Sequence, residues 1–411
     1  MQCQNLRHMI IVGGTYSEIC FEPIWENIFG SGFRAASLVL ENDSSKKVNY
    51  HTCADLELKS HLRLFEHQYE NLSIAITDIE KSPEFHYDHP LKTPTISPRP
   101  DLFNESKNLI EAEGNNILVY GLLESTFRIK GKKVVYDPQS PVNPKTFSST
   151  SSTAEQLVMV INLSEAYKIT NSKNLDTIVD FFFKRENCLA LVVKMGAQGA
   201  LLFENVSSEP KRIPVYESDT VWPIGSGDVF SAYFAMNWFE GVDLYTSALQ
   251  ASKATSLYCN SKDLSIAKKL SSFSFPELIV NNKPEGQVYI AGPFFTFSQR
   301  WIINEVWRTL KSIGLNVFSP YHDVGLGKAA DVVDKDIDGL DKSEIVFAIV
   351  DGLDSGTIFE IGYAICQKKH VIAFVQNEDE ESLKMIEGTG CLIEDDFTTA
   401  IYKTFWTLAS K

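Results

Sequence analysis

Short apolar runs alternate with stretches of helical period along most of this chain. Strand-like runs fall at Ile10–Val12, Ile117–Tyr120, Lys133–Tyr136, Val158–Asn162, Leu189–Val193 and Ala200–Phe203. A helical stretch, Gly227–Phe239, opens directly after a Gly225-Ser226-Gly227 turn. Such alternation predicts α/β layering. The rhythm lapses between Asp263 and Glu285, where Ser271-Ser-Phe-Ser-Phe-Pro276 and Asn281-Asn-Lys-Pro-Glu-Gly286 are rich in turn formers. Residues 82–101, with five prolines, read as an irregular insertion.

A second unit begins with the strand Val288–Ala291. A helix over Ser298–Ile313 follows, with Ile302, Val306, Trp307, Leu310 and Ile313 near helical spacing. A strand at Asn316–Phe318, a helix through Leu340, a strand at 345–350, a helix carrying Glu360, a strand at Val371–Val375 and a helix from Thr398 complete it. The pattern predicts a first domain over 1–272, a linker over 273–286, and a smaller doubly wound parallel-sheet domain of Rossmann or flavodoxin type over 287–411. At 411 residues, two domains are the natural expectation.

Composition narrows the partners. The formal net charge is -15, which argues against nucleic acid or an anionic membrane surface, because phosphate contacts need clustered Lys and Arg. Seven scattered cysteines without a C-x-x-C pair point away from disulfides and zinc and towards a reducing, cytoplasmic setting. The apolar run Met9–Val12 reads as a first strand rather than a signal peptide, and no run reaches the ~20 residues of a membrane span.

Three carboxylates of the second unit stand out: Asp336, Asp354 and Glu360. Glycosyl transfer needs a carboxylate nucleophile at the anomeric carbon and an acid for the leaving group. The stretch Asp354-Ser-Gly-Thr-Ile-Phe-Glu360-Ile-Gly-Tyr-Ala364 follows an apolar strand, so its carboxylates fall at the strand's C-terminal edge, where open α/β sheets bind ligands. A carboxylate there is either a helix cap or a reagent. With Tyr289-Ile-Ala-Gly-Pro-Phe-Phe295, Val317-Phe-Ser-Pro320 and Asp336-Ile-Asp-Gly-Leu340, this stretch resembles the nucleoside 2-deoxyribosyltransferase family over about residues 287–376. The resemblance implies that Glu360 attacks C1′ of a (deoxy)ribonucleoside to form a glycosyl-enzyme ester. It implies that Asp336 assists the leaving base and that Asp354, with Ser355 and Gly356, holds the sugar. Tyr289, Gly292, Pro293 and Phe294 would line the base and sugar pocket. It implies no cofactor for this step, and a homo-oligomer.

In the first unit, Ile224-Gly-Ser-Gly-Asp-Val-Phe230 places two glycines and an acid at a helix start. Backbone N–H groups there suit an anion, and Asp228 beside it suits a base activating a hydroxyl for phosphoryl transfer. With Asn162-Leu-Ser-Glu165 and Lys194-Met-Gly-Ala-Gln-Gly199, the order of motifs resembles the PfkB sugar-kinase family over about residues 8–270. That resemblance implies a ribokinase-like three-layer α/β/α domain that uses ATP and Mg²⁺. It casts Asp228 as the base and Gly225, Ser226 and Gly227 as the anion hole. Asn162 and Glu165 would place hydrated Mg²⁺, and Lys194, Gly196 and Gly199 would lie along ATP. Departures cluster at the acceptor end. Trp222-Pro223-Ile224 stands before the glycine turn, Glu18 replaces the sugar-binding Asp, Gln139 and Ser140 follow Asp137-Pro138, and no sugar-binding Gly-Gly motif is recognisable between Gly30 and Asp55.

Two functions remain open on this reading. One is a bifunctional nucleoside-salvage enzyme that acts on the N-glycosidic bond and phosphorylates a nucleoside or sugar hydroxyl. The other is a nucleotide sensor in which an inactive kinase-like domain gates an N-glycosidase.

Overall fold

The computed structural model describes residues 8–103, 108–140, 142–207, 209–280 and 284–410. Cys3 and the Asn281–Lys283 part of the expected linker lie outside the described residues. Contacts divide the chain into Met1–Ser218 with Trp222–Glu277, and Asp219–Val221 with Leu278–Lys411.

The N-terminal unit is built on a nine-stranded sheet. Its order is Lys211–Ile213, Ala200–Phe203, Ala190–Lys194, Thr153–Asn162, Thr126–Asp137, Leu109–Tyr120, His8–Val12, Lys47–Ala54, Leu72–Asp78. All neighbours are parallel except the last two pairings at the Lys211–Ile213 edge. Two apolar clusters cover its two faces: Met9 and Ile11 point into one, Ile10 and Val12 into the other. This is the period-two alternation of a sheet buried on both sides. The helix Ser226–Phe239 is buried almost all round, as expected of a helix at the centre of a layer rather than on its surface.

Two strands are longer than their apolar runs suggested. Leu109–Tyr120 and Thr126–Asp137 each span 12 residues. Their N-terminal halves alternate outward and inward and carry cross-strand ion pairs, Arg128–Glu111 at 2.9 Å and Lys130–Glu113 at 2.8 Å. Residues 82–101 are not wholly irregular. Glu84–Tyr87 and Thr95–Ser97 join Tyr16–Cys20 and Trp25–Phe29 in a separate four-stranded sheet. The prolines at 83, 94 and 98 sit just outside these strands, where no ladder N–H is needed. The Phe273–Pro276 stretch, expected as the start of the linker, is packed into this unit, with Phe273 edge-on to Tyr216 at 4.9 Å.

The C-terminal unit has a five-stranded parallel sheet in the order Asn316–Phe318, Gln287–Ala291, Ile345–Ile349, His370–Phe374, Leu392–Glu394. In sequence order this is 2-1-3-4-5, the flavodoxin-like doubly wound arrangement. Its switch point lies between the first and third strands. Among the described residues, no helix is long and apolar enough to cross a membrane.

One backbone approach in the N-terminal unit tolerates only glycine. A Cβ on Gly32 would lie 2.6 Å from the carbonyl carbon of Gly13, and one on Gly13 would lie 2.8 Å from Gly32 Cα. The end of the first strand thus rests directly on the first turn of the Gly30–Asn42 helix. Gly32→Ala is expected to destabilise the N-terminal unit by roughly 1–3 kcal/mol, the usual cost of overpacking. An unshifted urea midpoint for this variant would contradict the close approach.

Candidate functional site

In the C-terminal unit the chemistry gathers at the switch point. Asp354 is the N-cap of the helix Ser355–Cys366, its Oδ2 accepting from Thr357 N–H at 3.0 Å and from Thr357 Oγ1 at 3.2 Å. Glu360 therefore lies in the second turn and does not cap the helix. The Tyr289 hydroxyl, projecting from the neighbouring strand, donates to Glu360 Oε1 at 2.5 Å. Tyr289 is fully buried, so the donor is fixed in place.

Burial pushes Glu360 up to about 7. The Tyr289 hydrogen bond opposes this rise, and the negative charges of Asp336 and Asp354 add to it. Asp336, on the helix Ala329–Asp341, is also raised by burial. Its Oδ1 is buried with no hydrogen-bond partner among the described residues. Burial and the Glu360 charge raise Tyr289 in turn, so it stays a neutral donor.

The remaining residues predicted for this site frame the same strand ends. Gly292 packs against Ile349, Pro293 is buried, and Phe294 lies 5.6 Å from Phe295 and 5.5 Å from Tyr321, centroid to centroid. Ser355 and Gly356 are exposed in the first turn after Asp354. A half-buried acid of raised pKa, a second acid with a free oxygen and a fixed phenol suit displacement at an electrophilic carbon with protonation of the leaving group.

The N-terminal unit holds a second cluster. Asp228 stands in the first turn of the Ser226–Phe239 helix, whose N-cap Gly225 has φ of 78° and no side-chain cap. Lys194 Nζ faces Gly227 and pairs with Asp137, which also accepts from Ser231 Oγ at 2.6 Å. Asp137 is fully buried, and its Oδ1 has no hydrogen-bond partner among the described residues. Uncapped N–H groups beside a lysine form a cradle that fits a phosphate.

Asn162 and Glu165 form a reciprocal capping box at the helix Leu163–Thr170. Glu165 accepts from Asn162 N–H at 3.2 Å through Oε2 and from Ser140 N–H at 3.1 Å through Oε1. Burial and the Asp137 charge push it upwards, and Lys194 pulls the other way. Gly196 and Gly199, both at positive φ, build the tight turn that returns the chain from Ala190–Lys194 to Ala200–Phe203. At Gly199 a Cβ would lie 2.2 Å from Ile213 O.

Sequence reasoning did not single out Arg34. Its Nη1 donates to Asp228 Oδ2 and its Nη2 to Glu18 Oε2, both at 2.5 Å. All three side chains are buried, Arg34 at 1% exposure. The available signal was one charge inside the otherwise uncharged and mostly apolar stretch Phe33–Leu40. Burial raises Asp228 to about 6 against the opposing Arg34 charge. A cavity of about 190 Å³, lined by Leu122, Phe127, Tyr136, Ser140 and Thr150 among others, contains none of the predicted site residues.

Fold and sites together define an α/β protein with a lysine beside an uncapped helix start in one unit and a carboxylate-centred cluster in the other. Residues 118–269 match the pfkB family carbohydrate kinase family, and residues 288–398 match the Nucleoside 2-deoxyribosyltransferase family. A kinase-family domain and a nucleoside deoxyribosyltransferase domain are thus both present. The fold of the N-terminal unit is similar to that of an aminoimidazole riboside kinase from Salmonella enterica, with a TM-score of 0.50 and 13% identity over 65% of this chain and 99% of that one. A ribokinase from Thermotoga maritima gives a TM-score of 0.48 and 16% identity over 64% and 98%. No curated protein matches the sequence.

Tyr289→Phe removes the donor that stabilises ionised Glu360, so the Glu360 pKa is expected to rise further above about 7. A linked expectation concerns stability. The folded-state pKa lies above the ordinary 4.5, so ionising Glu360 costs the fold stability. That cost is absent below pH 4.5 and complete above pH 7. Glu360→Gln should therefore be more stable than the parent at pH 8, by on the order of 1–3 kcal/mol. The gap should close as pH falls towards 4.5, which urea unfolding at several pH values would measure.

Proposed function

We propose that the C-terminal domain cleaves or transfers the N-glycosidic bond of a (deoxy)ribonucleoside or its 5′-monophosphate, with Glu360 as nucleophile. The observation that carries this reading is Glu360 itself: held by the Tyr289 hydroxyl, half-buried between strand ends, and freed from capping by Asp354. A carboxylate kept short of full ionisation by burial gains nucleophilic value only when a substrate reaches it.

In the proposed step, a Glu360 oxygen bonds to the anomeric carbon as the C–N bond breaks. The electron pair leaves with the base, and Asp336, whose raised pKa suits an acid, supplies the base with a proton. Tyr289 keeps the Glu360 carboxylate aimed; when water or a second base attacks the anomeric carbon, the ester bond breaks, Glu360 leaves as the carboxylate, and Asp336, ionised by its first donation, takes the proton of the attacking group. The Phe294 ring, near Phe295 and Tyr321, offers an aromatic face to a nucleobase. We infer a homo-oligomer with neighbouring copies at this site, a reading that the family likeness supports.

For the N-terminal domain we infer that Gly225, Ser226, Gly227 and Lys194 hold the phosphates of ATP. The uncapped helix start and the lysine facing it support this. Mg²⁺, when bound, would neutralise phosphate charge. The Asp137 oxygen without a partner and the Asn162–Glu165 corner are the groups that would face it through water. Bifunctional salvage and nucleotide sensing both need this phosphate site, and they differ in whether Asp228 ever deprotonates an acceptor.

Glu360→Ala is expected to cut base release by at least about 10³-fold, and Asp336→Asn by about 10²-fold. Chromatography of a nucleoside and nucleotide panel measures both. Intact-protein mass spectrometry of the parent should show a pentosyl or deoxypentosyl adduct that Glu360→Ala lacks. Undiminished base release by Glu360→Ala would remove the proposed mechanism.

A further inference from the structure

We propose that Arg34 occupies the acceptor position of the N-terminal domain, so that this domain holds a nucleoside triphosphate without passing its phosphate on. The inference rests on the phosphate-site reading above and concerns the group opposite it. Phosphoryl transfer needs an acceptor hydroxyl within hydrogen-bond reach of the base. Here the base candidate, Asp228, gives Oδ2 to Arg34, and the acceptor-binding candidate, Glu18, gives Oε2 to the same guanidinium. The two carboxylates that would hold an acceptor hold Arg34 instead. A guanidinium stays protonated throughout the accessible pH range, so the pairing does not lapse by titration of the arginine.

The walls around Arg34 are closed as well. Its Cζ lies 4.7 Å from the Phe29 ring centroid. Phe29 stacks on Trp25, and Trp25 meets Trp222 edge-on at 5.0 Å. On the remaining side the guanidinium rests on Gly225, where a Cβ would lie 2.2 Å from Cζ. The Asp228 carbonyl accepts from the Tyr120 hydroxyl at 2.8 Å, and the Ile224 carbonyl from Tyr258 at 2.7 Å, fixing the turn from behind. The unusual Trp222 and Glu18 thereby acquire a common purpose: one seals the apolar side and the other completes the pairing of the arginine. Only the phosphate side, at Gly227 and Lys194, remains built for a ligand.

The test uses the full chain with Mg²⁺ and the non-hydrolysable analogue AMP-PNP in calorimetry, and with ATP in turnover. The expected result is AMP-PNP binding, with ADP formation no higher in the presence of nucleosides, ribose and deoxyribose than in their absence. A crystal structure of the AMP-PNP complex should keep Arg34 between Glu18 and Asp228. Arg34→Asn, checked for folding by circular dichroism, should gain acceptor-dependent ADP formation on the order of 10²-fold over the parent.

Because removing Arg34 leaves two buried carboxylates facing each other, the parent complex decides the matter if the variant does not fold. Acceptor-dependent ADP formation by the parent, Arg34 withdrawn from Asp228 in the AMP-PNP complex, or a folded Arg34→Asn with no gain overturns the inference while leaving the phosphate site standing. Absence of AMP-PNP binding overturns the phosphate-site reading and the inference together.

Discussion

Taking a carboxylate out of water is the constraint on which both sites depend. Each of the two large sheets ends in loops that shield acidic side chains from solvent, and a buried charge is tolerated only with a partner. The two domains meet this demand differently. At Asp228 the partner is a permanent cation, and the carboxylate is committed to it. At Glu360 the partner is a neutral hydroxyl, which orients the carboxylate and leaves it available. The first solution locks the carboxylate in a buried ion pair, and the second orients it by a hydrogen bond from a neutral group. The identity of one neighbouring side chain, Arg34 or Tyr289, separates the outcomes.

Much of the architecture could be read from the chain because parallel strands buried on both faces are continuous apolar runs. The strand before Asp354, the turn and the following helix were legible for that reason, as was the glycine turn before Asp228. What escaped reading shares a different physical origin. The outer halves of Leu109–Tyr120 and Thr126–Asp137 are stabilised by ion pairs across the ladder, which no apolar run announces. The strands within residues 82–101 are three or four residues long and hidden among prolines.

Arg34 escaped for the most instructive reason. Its partners lie 16 and 194 residues away in the sequence, so no local spacing connects them. A long-range ion pair becomes visible only when the topology has brought the elements together. Glu360 and Tyr289 are 71 residues apart, yet they were found together because both belong to motifs with recognisable neighbours. Asp336 was legible as a carboxylate but its surroundings were not, since an acidic helix looks solvated until one oxygen proves to be buried.

The aromatic wall around Arg34 has an optical consequence. Trp25 packs against Trp222, and Lys262 sits 4.0 Å over the Trp222 ring. Trp25 is also stacked on the phenyl ring that touches the guanidinium. Any shift of the arginine must be accommodated by Phe29, and a shift of Phe29 changes the surroundings of both indoles. The emission of two of the chain's six tryptophans is thereby coupled to the two ion pairs of Arg34, and the chain carries a built-in fluorophore for the position of that guanidinium.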